Sequence, residues 1–149
     1  IRSNPAAEVA KVPEPPGRTR FLTDDEREAL LAACAARPEP ALLPLVLCAL
    51  SSGARAGELL SLRWKDVDLE AGTGIIATSK TGHGRTLHFV GQAVDALRAY
   101  GATRERGASL RVFASDSTGR YPFQYIEPFR EAVKAVNLED FRFHDLRHS

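Results

Sequence analysis

Ile126, Phe129, Val133 and Val136 fall three, four and three residues apart, so all four share one face of an α-helix, and Asn137 is placed to close it. Ala41 to Leu50 is patterned differently. It is apolar at every position, which predicts a central helix packed from all sides, with Pro44 forcing either a late start or a kink. Ahead of it, Thr23-Asp24-Asp25-Glu26 has the form of a capping box, followed by a buried stripe of Leu30, Leu31 and Cys34. Ser51-Ser52-Gly53 breaks the apolar helix, and Arg55 to Arg63 reads as the next one, with Leu59 and Leu62 on its buried face and Trp64 to Asp68 ending it. After a turn at Gly72 and Gly74, Ile75 to Ser79 and Arg85 to Val90 are β-prone runs joined by the hairpin loop Lys80-Thr81-Gly82-His83-Gly84. A helix from Gln92 to Tyr100 buries Ala93, Leu97 and Tyr100; a polar loop follows the helix, and a last helix starts at His144. The sum is a mainly α fold with a small antiparallel β-sheet, in the α+β class.

Length and composition narrow this. At 149 residues and 44% hydrophobic, the chain has material for one domain with a real core. Residues 1–20 hold Pro5, Pro13, Pro15, Pro16 and Gly17 and read as an extended linker, so the domain is placed at 21–149. No apolar run approaches the ~20 residues that cross a bilayer, so no membrane partner is expected. The start, Ile1-Arg2-Ser3-Asn4-Pro5, has no signal-peptide core, and the absence of Met gives the expectation of a piece from a longer product. Cys34 and Cys48 sit in apolar surroundings as small hydrophobes, which points to a reducing, cytoplasmic setting.

The net charge of +1 argues against a grossly basic coat, but it averages unlike regions. Asp24, Asp25, Glu26, Glu28 and Glu39 outweigh Arg27 and Arg37 over residues 21–50, whereas residues 71–90 carry Lys80, Arg85 and two histidines with no acid. A near-neutral protein can therefore still present a cleft that attracts phosphate.

Candidate chemistry gathers at a few positions. His144-Asp145-Leu146-Arg147-His148 places an imidazole and a guanidinium one helical turn apart, a pair suited to a phosphodiester: Arg grips non-bridging oxygens and His moves a proton. The same segment approaches the zinc-binding His-Glu-x-x-His pattern, so His144 and His148 are also a candidate metal pair. Arg55 and Glu58 stand three apart, either as a common surface ion pair or as a cation held in place by its neighbour. Lys80 is either a solubilising loop residue or a point charge and proton donor reaching into a groove. Gly74 to Thr81 misses a phosphate-cradling loop by one glycine, and its Ile-Ile-Ala-Thr interior prefers a strand, which excludes nucleotide hydrolysis.

Taken in order, these segments resemble one family. Ser52-Gly53-Ala54-Arg55-Ala56-Gly57-Glu58-Leu59-Leu60-Ser61-Leu62-Arg63-Trp64-Lys65-Asp66-Val67-Asp68 closely resembles the first arginine box of the tyrosine recombinases, the phage-integrase family. Thr78 to Gly82 with Arg85-Thr86-Leu87 resembles that family's β-hairpin lysine segment, and Phe141 to Ser149 its His-x-x-Arg box. Asn4-Pro5 and Arg20-Phe21-Leu22-Thr23 look like the linker entering its catalytic domain.

The resemblance implies site-specific DNA recombination or integration, with strand cleavage and rejoining through a 3′-phosphotyrosyl link and no metal or other cofactor. Arg55 and Arg147 would clamp the scissile phosphate, Lys80 would protonate the leaving 5′-oxygen, His144 would assist proton transfer on the nucleophile side, and Glu58 would position rather than react. Lys80 and Arg85 would contact DNA. The partner would be double-stranded DNA, bound in the nucleoid by a full-length tetramer on paired sites. The family's nucleophilic tyrosine follows the second arginine, whereas Tyr100, Tyr121 and Tyr125 all precede His144. The expectation is a monomeric fragment, C-terminally truncated, that binds a phosphodiester without forming the covalent link. A non-cutting DNA-binding module of the same descent and, more remotely, a zinc hydrolase using His144 and His148 are the alternatives.

Overall fold

The computed structural model describes residues 20–77, 84–104, 106–115 and 118–149; the linker assigned to residues 1–20 falls almost wholly outside them, as does Lys80. The element order is α1 (Asp24–Ala35), α2 (Leu42–Ser52), α3 (Ala56–Ser61), a 3₁₀ turn (Trp64–Asp66), β1 (Val67–Asp68), β2 (Thr73–Ile76), β3 (Arg85–His88), α4 (Gln92–Ala102), α5 (Ile126–Ala135) and a second 3₁₀ turn (Phe143–His148). This is a helical domain carrying one three-stranded antiparallel sheet, ordered β1-β2-β3.

Helix α1 starts as its sequence requires. Thr23 Oγ1 accepts the Glu26 N–H at 3.2 Å, and Glu26 returns a carboxylate oxygen to the Thr23 N–H at 2.9 Å. Helix α2 is the centre of the molecule. Leu42, Leu45, Val46 and Cys48 are fully buried, and the helix touches α1, α3, α4, β3 and the second 3₁₀ turn. At about 1.5–3 kcal/mol for each large aliphatic side chain removed from water, no other element approaches its share of the core. Pro44 lies in the first turn, where its missing N–H has no helical carbonyl to bond, so the helix that begins at Leu42 accommodates it.

Helix α5 ends as Asn137 foretells. Asn137 takes a left-handed φ of 53°, its N–H donates to Lys134 O at 3.1 Å, and the Leu138 N–H donates to Val133 O at 3.2 Å. These are the two bonds of a Schellman motif, with Leu138 buried beyond them. The stripe predicted for this helix is narrower than its spacing suggests: Phe129 and Val133 are buried, but Ile126 is 56% exposed, because the first turn extends past the core.

The segment between α4 and α5 is not the polar loop its composition implies. Phe113 is fully buried, with Val112, Ala114 and Phe123 beside it. Its backbone is satisfied by bonds to distant chain, including Val112 N–H to Leu62 O at 2.9 Å and Phe123 N–H to Phe113 O at 3.1 Å. The two-residue strand β1 is likewise absent from the sequence reading, and β2 begins two residues earlier than its apolar run. Gly72 makes that start possible: at φ 63°, a Cβ there would lie 2.6 Å from the Phe89 carbonyl oxygen.

Candidate active site

Gly53 ends α2 in the left-handed region, φ 61°, and turns the chain so that Arg55 becomes the residue at the head of α3. Arginine has no acceptor with which to cap a helix. Glu58 supplies the acceptor instead, taking the Arg55 N–H at 2.7 Å. The Arg55 guanidinium runs outward with its side chain 66% exposed, and its approach to Glu58 Oε1, 3.7 Å, is an ion pair too long for a hydrogen bond. One carboxylate thus fixes the backbone of Arg55 while its fork faces solvent.

Glu58 has a firmer partner than the one its spacing suggests. Arg85 of β3 holds it bidentately, Nη2 to Oε2 at 2.7 Å and Nε to Oε1 at 3.2 Å. The pair Arg55–Glu58 is therefore one side of a three-residue network. Burial pushes the Glu58 carboxyl up, but the hydrogen bonds from Arg85 and the Arg55 N–H, with both positive charges, outweigh it and hold the group below its ordinary 4.5.

The second group is built on the alternation Phe141-Arg142-Phe143-His144, which sends the two rings into the core and the two polar side chains out. The Phe143 ring lies 4.7 Å from Tyr125 and, edge-on, 5.1 Å from Phe129 of α5. Asp145, 6% exposed, accepts the Arg142 N–H at 2.8 Å from beneath. From this base His144 and Arg147 rise three residues apart. The helix predicted here is a 3₁₀ turn, in which backbone positions three apart eclipse, with His144 exposed and Arg147 half-buried.

The zinc reading lacks a complete ligand set. The His144 and His148 rings do lie edge-on, 5.9 Å apart, but two imidazoles alone do not make a zinc site. Asp145, the general base such a site would use, is buried as a cap. Among the described residues no cluster of three or more His, Cys, Asp or Glu could hold a metal ion.

The described site residues thus form two groups, Arg55 with Glu58 and Arg85 on one carboxylate, and His144 with Arg147 on one turn. Helix α2 supports both: it leads through Gly53 into Arg55, and it packs against the 3₁₀ turn. Sequence reasoning placed Arg85 against DNA and missed its grip on Glu58. The signal was the strand's own alternation, because Leu87, two residues on, points into the core and puts Arg85 on the same side.

The model of the phage integrase family matches residues 20–149. Over 147 residues the chain is 31% identical to a shufflon-specific DNA recombinase of Escherichia coli, covering 99% of this chain and 36% of that protein. It is 29% identical to the integrase of Salmonella phage P22 (96% of this chain, 39% of that one) and 31% identical to tyrosine recombinase XerC of Xanthomonas campestris pv. campestris (100% and 47%). The chain therefore spans less than half the length of these relatives. Among solved structures, the XerA recombinase superposes with a TM-score of 0.73 at 25% identity, covering 91% of this chain and 49% of that one. A lambda integrase dimer bound to a COC′ core site gives 0.67 at 26% identity, covering 95% and 52%. With its family model running from the head of α1 to Ser149 and its arginine boxes in the family's order, this chain belongs to the phage integrase family, the tyrosine recombinases.

Proposed function

We propose that this chain is the DNA-cleaving part of a site-specific recombinase that breaks and rejoins strands through a 3′-phosphotyrosyl link. Arg55 and Arg147 clamp the scissile phosphate: negative charge grows on its non-bridging oxygens in the transition state, and preorganised guanidinium donors meet it there. His144, exposed above the Phe143 anchor, handles the proton on the nucleophile side. Lys80 protonates the departing 5′-oxygen. Glu58 acts on Arg55 and not on DNA. None of Tyr100, Tyr121 and Tyr125 is assigned as nucleophile, since each precedes His144, and Tyr125 is engaged in packing on Phe143. A polypeptide of these 149 residues alone accordingly binds duplex DNA as a monomer without cutting it. The protein that carries this domain works as a tetramer on paired sites, in the cytoplasm at the nucleoid.

The observation that carries this reading is Arg55, a cation whose backbone is clamped at 2.7 Å by a largely buried carboxylate while its guanidinium is left two-thirds exposed. The DNA-bound lambda integrase supports duplex DNA as the partner. The test is covalent trapping. The protein that carries this domain, incubated with duplex DNA containing its site, should yield a protein–DNA adduct that survives denaturation. Lys80→Ala should lose the adduct and regain it with a substrate whose 5′ leaving group needs no proton. Absence of any adduct with the unsubstituted protein would reject the reading.

A further inference from the structure

We infer that Arg85 is a positioning residue for Arg55: by saturating the Glu58 carboxylate it keeps the Arg55 guanidinium outward, available to phosphate. The inference rests on the recombinase reading above and deepens it. Glu58 carries a single negative charge and has two arginines within reach. Arg85 holds it with two hydrogen bonds, at 2.7 and 3.2 Å, whereas the nearest Arg55 guanidinium contact is 3.7 Å. The Glu58 side chain is 15% exposed, so water offers it little; a carboxylate so placed demands a cation. With Arg85 in place the demand is met from the sheet. Without it, the remaining cation within reach among the described residues is Arg55, which has 3.7 Å to close and every electrostatic reason to do so.

Arg85 is well placed to hold that carboxylate permanently. Its strand is stitched down at both ends: Arg85 grips α3 through Glu58, and at the other end Ser51 of α2 donates to His88 O at 3.2 Å and accepts the Val90 N–H at 2.9 Å. Ile76 pairs with Arg85 across the ladder, and Leu87, on the same strand face, is buried in the core. Arg85 is thus fixed by register and by burial next door, and Nε and Nη2, a full bidentate edge, are already engaged.

The experiment uses the protein that carries this domain. It measures duplex binding as a function of salt, and single-turnover strand cleavage at saturating DNA, for Arg85→Ala, Arg85→Lys and the double variant Arg85→Ala with Glu58→Gln. Expected results are cleavage by Arg85→Ala slowed about tenfold to a hundredfold, the cost of a displaced clamp, with the salt dependence of binding unchanged. Arg85→Lys should stay slow, since an ammonium cannot bridge both oxygens. The double variant should cleave faster than Arg85→Ala, because glutamine still accepts the Arg55 N–H but no longer traps its guanidinium. A direct DNA contact would give the opposite pattern: a salt slope shallower by about one phosphate, good function with lysine, and no rescue by Glu58→Gln. That pattern overturns the inference and leaves the recombinase reading standing. Failure of the unsubstituted protein to cleave would reject both.

Discussion

Asp145 accepts the backbone N–H of Arg142 at 2.8 Å, the same bond that Glu58 makes to Arg55 at 2.7 Å. Asp66 repeats it on Arg63 at 3.3 Å. Each time an acid three residues after an arginine closes the head of a short helix. Since arginine cannot accept a bond, the returning carboxylate is the half of a capping box left to such a sequence. It also sets negative charge against the free N–H groups of the first turn. Helices of six residues, such as α3 and the turn at Phe143–His148, are far below the length that sustains itself in water, so the cap and the packing beneath decide whether they form.

Asp145→Ala should therefore lower stability by about 0.5–2 kcal/mol, the cost of losing a helix cap. Asp145→Asn, whose amide oxygen can still accept, should recover part of that. Urea denaturation of the three proteins gives the comparison. An unchanged midpoint for the alanine variant would show that this bond does not hold the turn.

Glu58 makes a prediction with a definite sign. Its folded carboxyl lies below the ordinary value of 4.5, so the unfolded chain binds the proton first as pH falls. Its contribution is complete above about 4.5 and is lost as pH drops through the lower, folded value. Replacing it by Gln should leave a variant whose melting temperature falls less steeply below pH 5 than that of the unsubstituted chain. Equal acid slopes would mean the carboxylate gains nothing from Arg85 and the Arg55 N–H.

Asn137 occupies the left-handed position at the end of α5, φ 53°. Gly there should stabilise or be neutral, within about 1 kcal/mol, and Val should cost about 1–2 kcal/mol, because a β-branched residue resists that conformation. Thermal unfolding distinguishes the two, and a Val variant as stable as the Gly variant would contradict the Schellman ending.

The two cysteines supply a simple check on the core. Both are buried, and desolvation pushes the Cys34 thiol to about 12 and Cys48 higher still. A thiol reagent at pH 8 should label neither in the native protein and both in denaturant. Rapid native labelling would place one of them outside the core.

How much of this was legible in the chain depends on the range over which each signal acts. The capping box at Thr23, the apolar block of α2 and the Asn137 stop are local, set by residues within one or two turns, and each was read correctly. The grip of Arg85 on Glu58 spans 27 residues and depends on strand register, which no spacing rule within a helix reports. Phe113 and Phe123 were lost in a segment whose Ser, Thr, Gly and Arg content masks an inner thread. Its backbone is satisfied by Leu62 and by its own isolated bridge rather than by a regular element. That His144 and Arg147 share one turn was legible in their spacing, although the turn is 3₁₀ and not α. The His144–His148 metal pair found no support: the rings lie 5.9 Å apart, but among the described residues no third ligand joins them.

The most direct test of the clamp is strand cleavage by Arg147→Ala in the protein that carries this domain, measured at saturating duplex DNA and beside an unfolding curve. The expected result is a loss of about 10²-fold to 10³-fold or more in the cleavage rate, as for removal of a preorganised donor to a developing charge, with the denaturation midpoint retained. Cleavage at the unsubstituted rate would contradict the assignment of Arg147, and with it the reading of the His144 turn as the phosphate site.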